Sequence, residues 1–174
     1  DATMKTNDKT KVIQSIDSYC DNVGVPIANK PGGRACYSST LDQITMPLRG
    51  EFEDTKDNPA TITYYSTLFH ELTHSTGHKK RLNRDMRGWF GDPKYAFEEL
   101  VAELGAAFHC QKHGIEVEPR EDHAAYIKSW LRAIKTEKNG ASAILKAAAL
   151  AQASLDYCDQ QQPDFKTSGE AIAA

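Results

Sequence analysis

His70, Glu71 and His74 lie in the run Phe69-His70-Glu71-Leu72-Thr73-His74-Ser75, where their types and spacing could serve a single metal ion. On a helix, residues four apart stand one above the other, so the two imidazoles project from one face and can clamp one cation. Glu71 is too close in sequence to be a comfortable third ligand. It is well placed to take a proton from a water held at that cation as the water attacks a carbonyl. The chemistry this pattern supports is hydrolysis by a metal-activated water, and a zinc-dependent peptidase is the reading that follows. The bland alternative is two ordinary histidines on an amphipathic helix.

The elements that must position these groups are legible around them. Asn58-Pro59 reads as an N-cap and first-turn pair, which predicts a helix running to about Gly77. Ile62, Tyr65, Leu68, Phe69 and Leu72 recur at three- and four-residue steps and form an apolar stripe away from the histidine face. A catalytic zinc takes three protein ligands plus water, so a third ligand is expected downstream. Gly91-Asp92-Pro93 opens a second helix whose core stripe is Phe97, Leu100, Val101, Leu104 and Phe108. Glu99 and Glu103 stand four apart on another face of it, in line with Ala96, Ala106 and Cys110. Glu98, with Ala102 and His109, points elsewhere and reads as a solvated charge.

The arrangement resembles that of thermolysin-like zincins, in which a glutamate on the following helix completes the zinc site and an acidic residue four positions later orients a ligand histidine. The resemblance implies His70, His74 and Glu99 as ligands of one Zn2+, Glu71 as the catalytic base, and Glu103 as the partner of a ligand imidazole, where the family usually has Asp. A metzincin pattern fails, because Lys80 stands where its third histidine should fall.

A closer resemblance covers most of the chain. The stretches Ala35 to Pro47, His70 to His78, Arg81-Leu82-Asn83-Arg84, Glu98 to Phe108 and Tyr126 to Leu131 are similar to the C-terminal domain of ArdC-type antirestriction proteins. This implies a zincin-like metallopeptidase domain from a protein of a mobile genetic element, with a protein or peptide substrate. It also implies that DNA is contacted through an N-terminal single-strand-binding domain that has no counterpart here. Two rival functions stay open. One is a metal-containing but non-proteolytic scaffold or DNA-protection module; the other is a DNA-associated protease similar to SprT-type enzymes.

The remaining sequence bounds these readings. A chain of 174 residues without repeats or a Pro-, Gly- or Ser-rich linker is expected to be one domain over 1–159, followed by a polar, frayed tail over 160–174. It starts at Asp1, with its first methionine at Met4, which points to a fragment or processed product. No apolar run is long enough to span a membrane. With 21 Lys and Arg against 24 Asp and Glu, the chain is not the main nucleic-acid binder. One basic cluster, Lys79, Lys80, Arg81, Arg84 and Arg87, follows the histidine helix and reads as a solvated helix end. Cys20, Cys36, Cys110 and Cys158 include no Cys-x-x-Cys pair and are expected to be buried thiols in a reducing bacterial cytoplasm.

Periodicity further predicts an opening helix through Val12, Ile13, Ile16 and Tyr19, then strands at about 34–38 and 43–46 joined by a turn over 39–42. Ile44 to Met46 is the candidate edge strand for binding an extended peptide. Helices over Asp122 to about Lys138 and Ala141 to about Tyr157 follow. The fold class is α+β, mostly helical, with a small sheet beside the metal helix. His78, one turn beyond His74, is a candidate transition-state or substrate contact, as are Tyr126 and His123.

Overall fold

The structure is a computed structural model and describes residues 9–88, 92–118 and 140–165. The expected helix over 122–138, with His123 and Tyr126, and the end of the tail from residue 166 lie outside the described residues. In chain order the elements are α1 (Gln14–Asn22), β1 (Ile27–Lys30), β2 (Cys36–Ser38), β3 (Gln43–Pro47), a 3-10 turn (Arg49–Glu51), α2 (Ala60–Thr76), α3 (Pro93–Lys112) and α4 (Gly140–Gln160). Among the described residues no helix is long and apolar enough to cross a membrane. The architecture is the expected α+β one.

The sheet has the order β1-β3-β2. β3 pairs in parallel with β1, Ile27 opposite Ile44, and antiparallel with β2, Tyr37 opposite Ile44. The predicted hairpin is present, but β3 is the central strand, so the expected peptide-binding edge at Ile44 to Met46 is already paired on both sides. Its alternating Ile44 and Met46, both 0% exposed, are core residues. Among the described residues the edge strands of the sheet are β1 and β2. Edge position also explains Cys36, which is exposed on β2 against expectation, whereas Cys20, Cys110 and Cys158 are buried and all four thiols are free.

Helix α2 is buried on nearly every side. Tyr64, Tyr65, Leu68, Phe69 and Leu72 pack with Ile16, Tyr19, Ile44 and Met46 in one core, and Leu100, Val101 and Ala147 join α3 to α4 in a second. The start of α2 differs from expectation. Pro59 occupies the N-cap position, and the Ala60 N–H donates to Asp54 Oδ1 at 2.9 Å, so Asp54 supplies the capping carboxylate. Asn58 instead exchanges two hydrogen bonds with the Glu118 backbone, at 3.0 and 2.9 Å, tying this start to the chain beyond α3. Asp92 does cap α3, accepting from Lys94 N at 2.8 Å, with Pro93 in the first turn.

The β2–β3 turn is latched to the C-terminal end of α2. Asp42, at a left-handed φ of 50°, accepts from Tyr37 Oη at 2.7 Å and from the guanidinium of Arg81. Arg81 also donates through Nε to Ser75 O at 2.7 Å. Arg81 and Tyr37 outweigh burial and hold the Asp42 carboxyl well below the usual carboxylate range. The basic cluster therefore divides: Arg81 and Arg84 are buried anchors, while Lys79 and Lys80 face solvent as expected. The start of the expected frayed tail is also held, since Gln162 donates to Tyr19 O and Cys158 O at 3.2 and 2.8 Å.

Two packing features carry measurable consequences. A Cβ at Gly105 would lie 2.4 Å from Thr73 Cγ2 and Oγ1, so the missing side chain is what lets α3 approach α2 there. Thr73 cannot yield easily, being fully buried with its hydroxyl donating to Phe69 O at 2.8 Å. Replacing glycine by alanine inside a helix ordinarily gains about 1 kcal/mol, whereas overpacking costs about 1–3 kcal/mol; the clash should win. Gly105→Ala is expected to lower the denaturant midpoint, and an unchanged or raised midpoint would contradict the close contact.

The second feature is His109, fully buried with neither ring nitrogen hydrogen-bonded. Its ring stacks on Phe69 at 5.0 Å, as His113 does at 5.3 Å. Burial, helped by His113, pushes the His109 pKa down to about 3 from the ordinary 6.5. The unfolded chain therefore binds the proton first as pH falls, and stability drops through the window from about 6.5 to about 3. His109→Leu should flatten the fall of Tm over that window, as thermal melts at several pH values would show; an equal acid sensitivity in the variant would contradict it.

Candidate metal centre

Helix α2 presents His70 and His74 on one face, and α3 brings Glu99 against them. The two Nε2 atoms lie 3.1 Å apart. Glu99 Oε2 is 3.6 Å from His70 Nε2 and Glu99 Oε1 is 3.5 Å from His74 Nε2. One ligand atom from each of the three residues falls within 4.8 Å of the others, and among the described residues no other such cluster of His, Cys, Asp and Glu occurs.

The other ring nitrogens explain why this cluster suits a cation. His74 Nδ1 lies 3.1 Å from Glu98 Oε1, and His70 Nδ1 lies 3.4 Å from Glu103 Oε1. Each carboxylate is an acceptor, so each Nδ1 carries the proton and donates it. Both Nε2 lone pairs then face Glu99. Three electron-rich atoms converging in a partly buried site repel one another unless a proton or a metal ion lies between them. The direction of titration reflects this: burial would pull the His70 pKa down, but Glu103 and Glu99 overcome it and push it up to about 10. The His74 value is also raised against burial, by Glu98 and Glu99. Glu99 is held well below the usual carboxylate range because His70 and His74 outweigh its burial. Two imidazoles and one carboxylate, partly exposed to solvent, form a donor set that fits a catalytic divalent ion.

Glu98 was expected to be solvated and is instead only 6% exposed. It is held by Arg84, whose Nη2 donates to Glu98 Oε1 at 2.8 Å and whose Nε donates to Oε2 at 3.1 Å. Arg84 also donates to Thr73 O and Thr76 Oγ1, both at 2.7 Å, and Thr76 Oγ1 donates onward to Thr73 O at 2.7 Å. The guanidinium thus ties the orienting carboxylate of α3 back to the backbone of α2. Strip positions on a helical wheel assign Glu98 to the wrong side because α3 is enclosed by both α2 and α4. The signal that could have located it is Arg84, a cation whose pairing needs a carboxylate nearby.

Glu71 is 7% exposed and lies close enough to His70 to raise that residue's pKa. His78, one turn beyond His74, has its Nδ1 on the latch of the β2–β3 turn, accepting from Lys80 N at 3.3 Å and lying 3.6 Å from Asp42 Oδ2. Tyr95, unmarked by any motif, stands one turn before Glu99 on α3; burial, reinforced by the charge of Glu99, pushes its phenol pKa up to about 12.

Comparison with known proteins agrees with this geometry. Residues 14–150 match the family of zincin-like metallopeptidases. The chain is 38% identical over 152 residues to the uncharacterized protein y4eC of Sinorhizobium fredii, covering 87% of this chain and 46% of that protein. It is 40% identical over 134 residues to the DNA primase TraC of Escherichia coli, covering 77% of this chain and 9% of that protein. Two crystal structures of the antirestriction protein ArdC from plasmid R388 superpose closely. The metal-free one has a TM-score of 0.71 at 38% identity, covering 91% of this chain and 54% of that chain. The Mn(II)-bound one has a TM-score of 0.69 at 36% identity, with 91% and 56% covered. The chain thus spans half or less of the curated relatives' lengths, and over most of its own length it belongs to the zincin-like metallopeptidase family.

Proposed function

We propose that this domain is a zinc-dependent peptidase, with His70, His74 and Glu99 as ligands and Glu71 as general base, acting within an antirestriction protein of a mobile genetic element. The observation that carries the reading is the convergence within 4.8 Å of one carboxylate and two imidazoles whose Nδ1 atoms each face a further carboxylate. The likeness to ArdC supports the antirestriction setting, and the two-histidine, one-glutamate donor set supports zinc. When bound there, the cation supplies Lewis acidity towards water and a substrate carbonyl.

The chain's own groups do the rest. Glu98 and Glu103 hold the imidazoles in the tautomer that leaves Nε2 free to ligate, and their negative charge makes those nitrogens better donors. Glu71 takes the proton of the attacking water and passes it to the leaving amine nitrogen. The buried Arg84 keeps Glu98 aligned, so protonation at His74 Nδ1 is maintained. Free thiols at all four cysteines support a reducing, cytoplasmic setting. DNA contacts belong to another part of the full protein, because the net charge here is −3 and two of the cluster's five cations are buried in ion pairs.

Glu71→Gln removes the base while leaving the ligands intact. A positioned general base contributes about 10²–10⁴-fold, so kcat/KM on a peptide-library substrate should fall by that order with bound zinc unchanged. Equal turnover in the variant would take this role from Glu71. Zinc-loaded wild-type protein that cleaves no peptide in the library would favour a non-proteolytic role for the domain.

A further inference from the structure

Helix α2 does not end in open solvent. The chain turns back after it and packs a strap, residues 82–87, against the helix end. There Leu82, Asn83 and Arg84 donate their backbone N–H groups to Thr76 O, His78 O and Gly77 O at 2.9, 3.1 and 3.0 Å. Gly77 permits this approach, since a Cβ there would lie 2.4 Å from Met86 Sδ and 3.0 Å from Arg84 Nη2. A cavity of about 600 Å3 remains, lined by residues 77–79 at the helix end, residues 83–87 of the strap and Ser39 of the β2–β3 turn.

The cavity adjoins the candidate metal centre by two routes. His78 stands four residues past His74, about 6 Å along a helix axis, and Arg84 reaches from the cavity wall to the Glu98 carboxylate that holds His74 Nδ1. The charge of the lining is one-sided. Arg84 is offset by Glu98, but Lys79 and Arg87 face a single carboxylate among the described lining residues, Asp85. Asp85 accepts from Arg87 Nε at 2.8 Å and from Lys94 Nζ at 3.2 Å, so two cations already share it. Among the described residues Lys79 is exposed and pairs with no carboxylate. Free carbonyls at a helix C-terminus would repel an anion. Here the strap takes those of Thr76, Gly77 and His78, and Arg81 Nε takes that of Ser75 at 2.7 Å. The result is a cationic cavity on a chain whose net charge is −3.

We propose that this cavity is a subsite for an acidic side chain, Asp or Glu, of a peptide bound across the metal centre, with Lys79 as the residue that sets the preference. As a substrate subsite it rests on the peptidase reading; its binding of an acidic side chain is measured separately. The volume lies within the range of about 300–1,000 Å3 typical of small-ligand pockets, which suits a side chain with its flanking backbone. A nucleic-acid strand would instead need several cations spaced along its phosphates, and Lys79 is the lining cation left without a carboxylate. Its flexible stem lets the ammonium follow a carboxylate of either length.

The test uses two sets of fluorescent peptide libraries in which one position at a time is fixed, as Glu in one set and as Gln in the other. Binding is read by anisotropy on zinc-loaded Glu71→Gln protein, which holds the peptide without cleaving it. A solvent-exposed charge pair gives up to about fivefold, so at one position the Glu set should bind about fivefold tighter than the Gln set. Adding Lys79→Glu should reverse that order, and about 1 M salt should erase it. Equal binding of the two sets at every position, or a Glu preference that survives Lys79→Glu, overturns the inference and leaves the peptidase reading standing. A single-stranded DNA oligonucleotide that binds more tightly than the Glu set, and loses that binding in Lys79→Glu, overturns it in favour of a nucleic-acid contact. Zinc-loaded wild type that prefers the Glu set as described yet cleaves neither set would sink the peptidase reading and keep the cavity as an acidic-peptide site.

Discussion

Everything at the centre depends on two helices lying close enough for a carboxylate from one to face two imidazoles from the other. That approach is a packing constraint before it is a chemical one. Gly105 has no side chain where Thr73 fills the space, and Leu100 and Val101 on the other side of α3 are buried with Ala147 of α4. Helix α3 is held from both sides, so Glu99 is carried to His70 and His74 by the backbone, with little side-chain reach required. The site is therefore built on rigid elements, which hold ligand geometry better than loops do.

Polarity is arranged around the same contact. Each imidazole meets one carboxylate at Nδ1 and points its other nitrogen at Glu99. Among the described residues, Glu71, Glu98, Glu99 and Glu103 stand around the two histidines, with Arg84 paired to Glu98. Carboxylates gathered in a partly dry site are costly, and a divalent cation between them offsets that cost. Arg84 and Arg81 secure the surroundings from the segment after α2, one gripping the α3 carboxylate and the other the β2–β3 turn. The sequence Arg81-Leu82-Asn83-Arg84 is a pair of struts more than a charged surface.

What could be read from residues alone follows from how each signal arises. His70 and His74 were legible because helical spacing sets direction; the same rule put Glu99 and Glu103 together on one face of α3, and it was the resemblance to thermolysin-like zincins that singled out Glu99. The apolar stripe of α2 and the Asp92 cap of α3 come from local rules of the same kind. Glu98 was misplaced because a helix between two others has no fully solvated face, and no local pattern reports a second neighbour. β3 was taken for an edge because the parallel pairing with β1 joins residues well apart in sequence; a short segment such as Ile27–Lys30 carries too little alternation to announce it. Asn58 has the right type for a cap, but Asp54 takes the contact and frees Asn58 to bind the Glu118 backbone.

The most direct measurement is a crystal structure of the zinc-loaded protein. It should show one ion bound by His70 Nε2 and His74 Nε2 at about 2.0–2.1 Å and by an oxygen of Glu99 at about 2.0–2.2 Å, with a solvent-facing fourth position. Glu103 and Glu98 should still hold the two Nδ1 atoms. An ion bound elsewhere, or one that takes Glu98 or Glu103 as its carboxylate ligand while Glu99 turns away, would contradict the account.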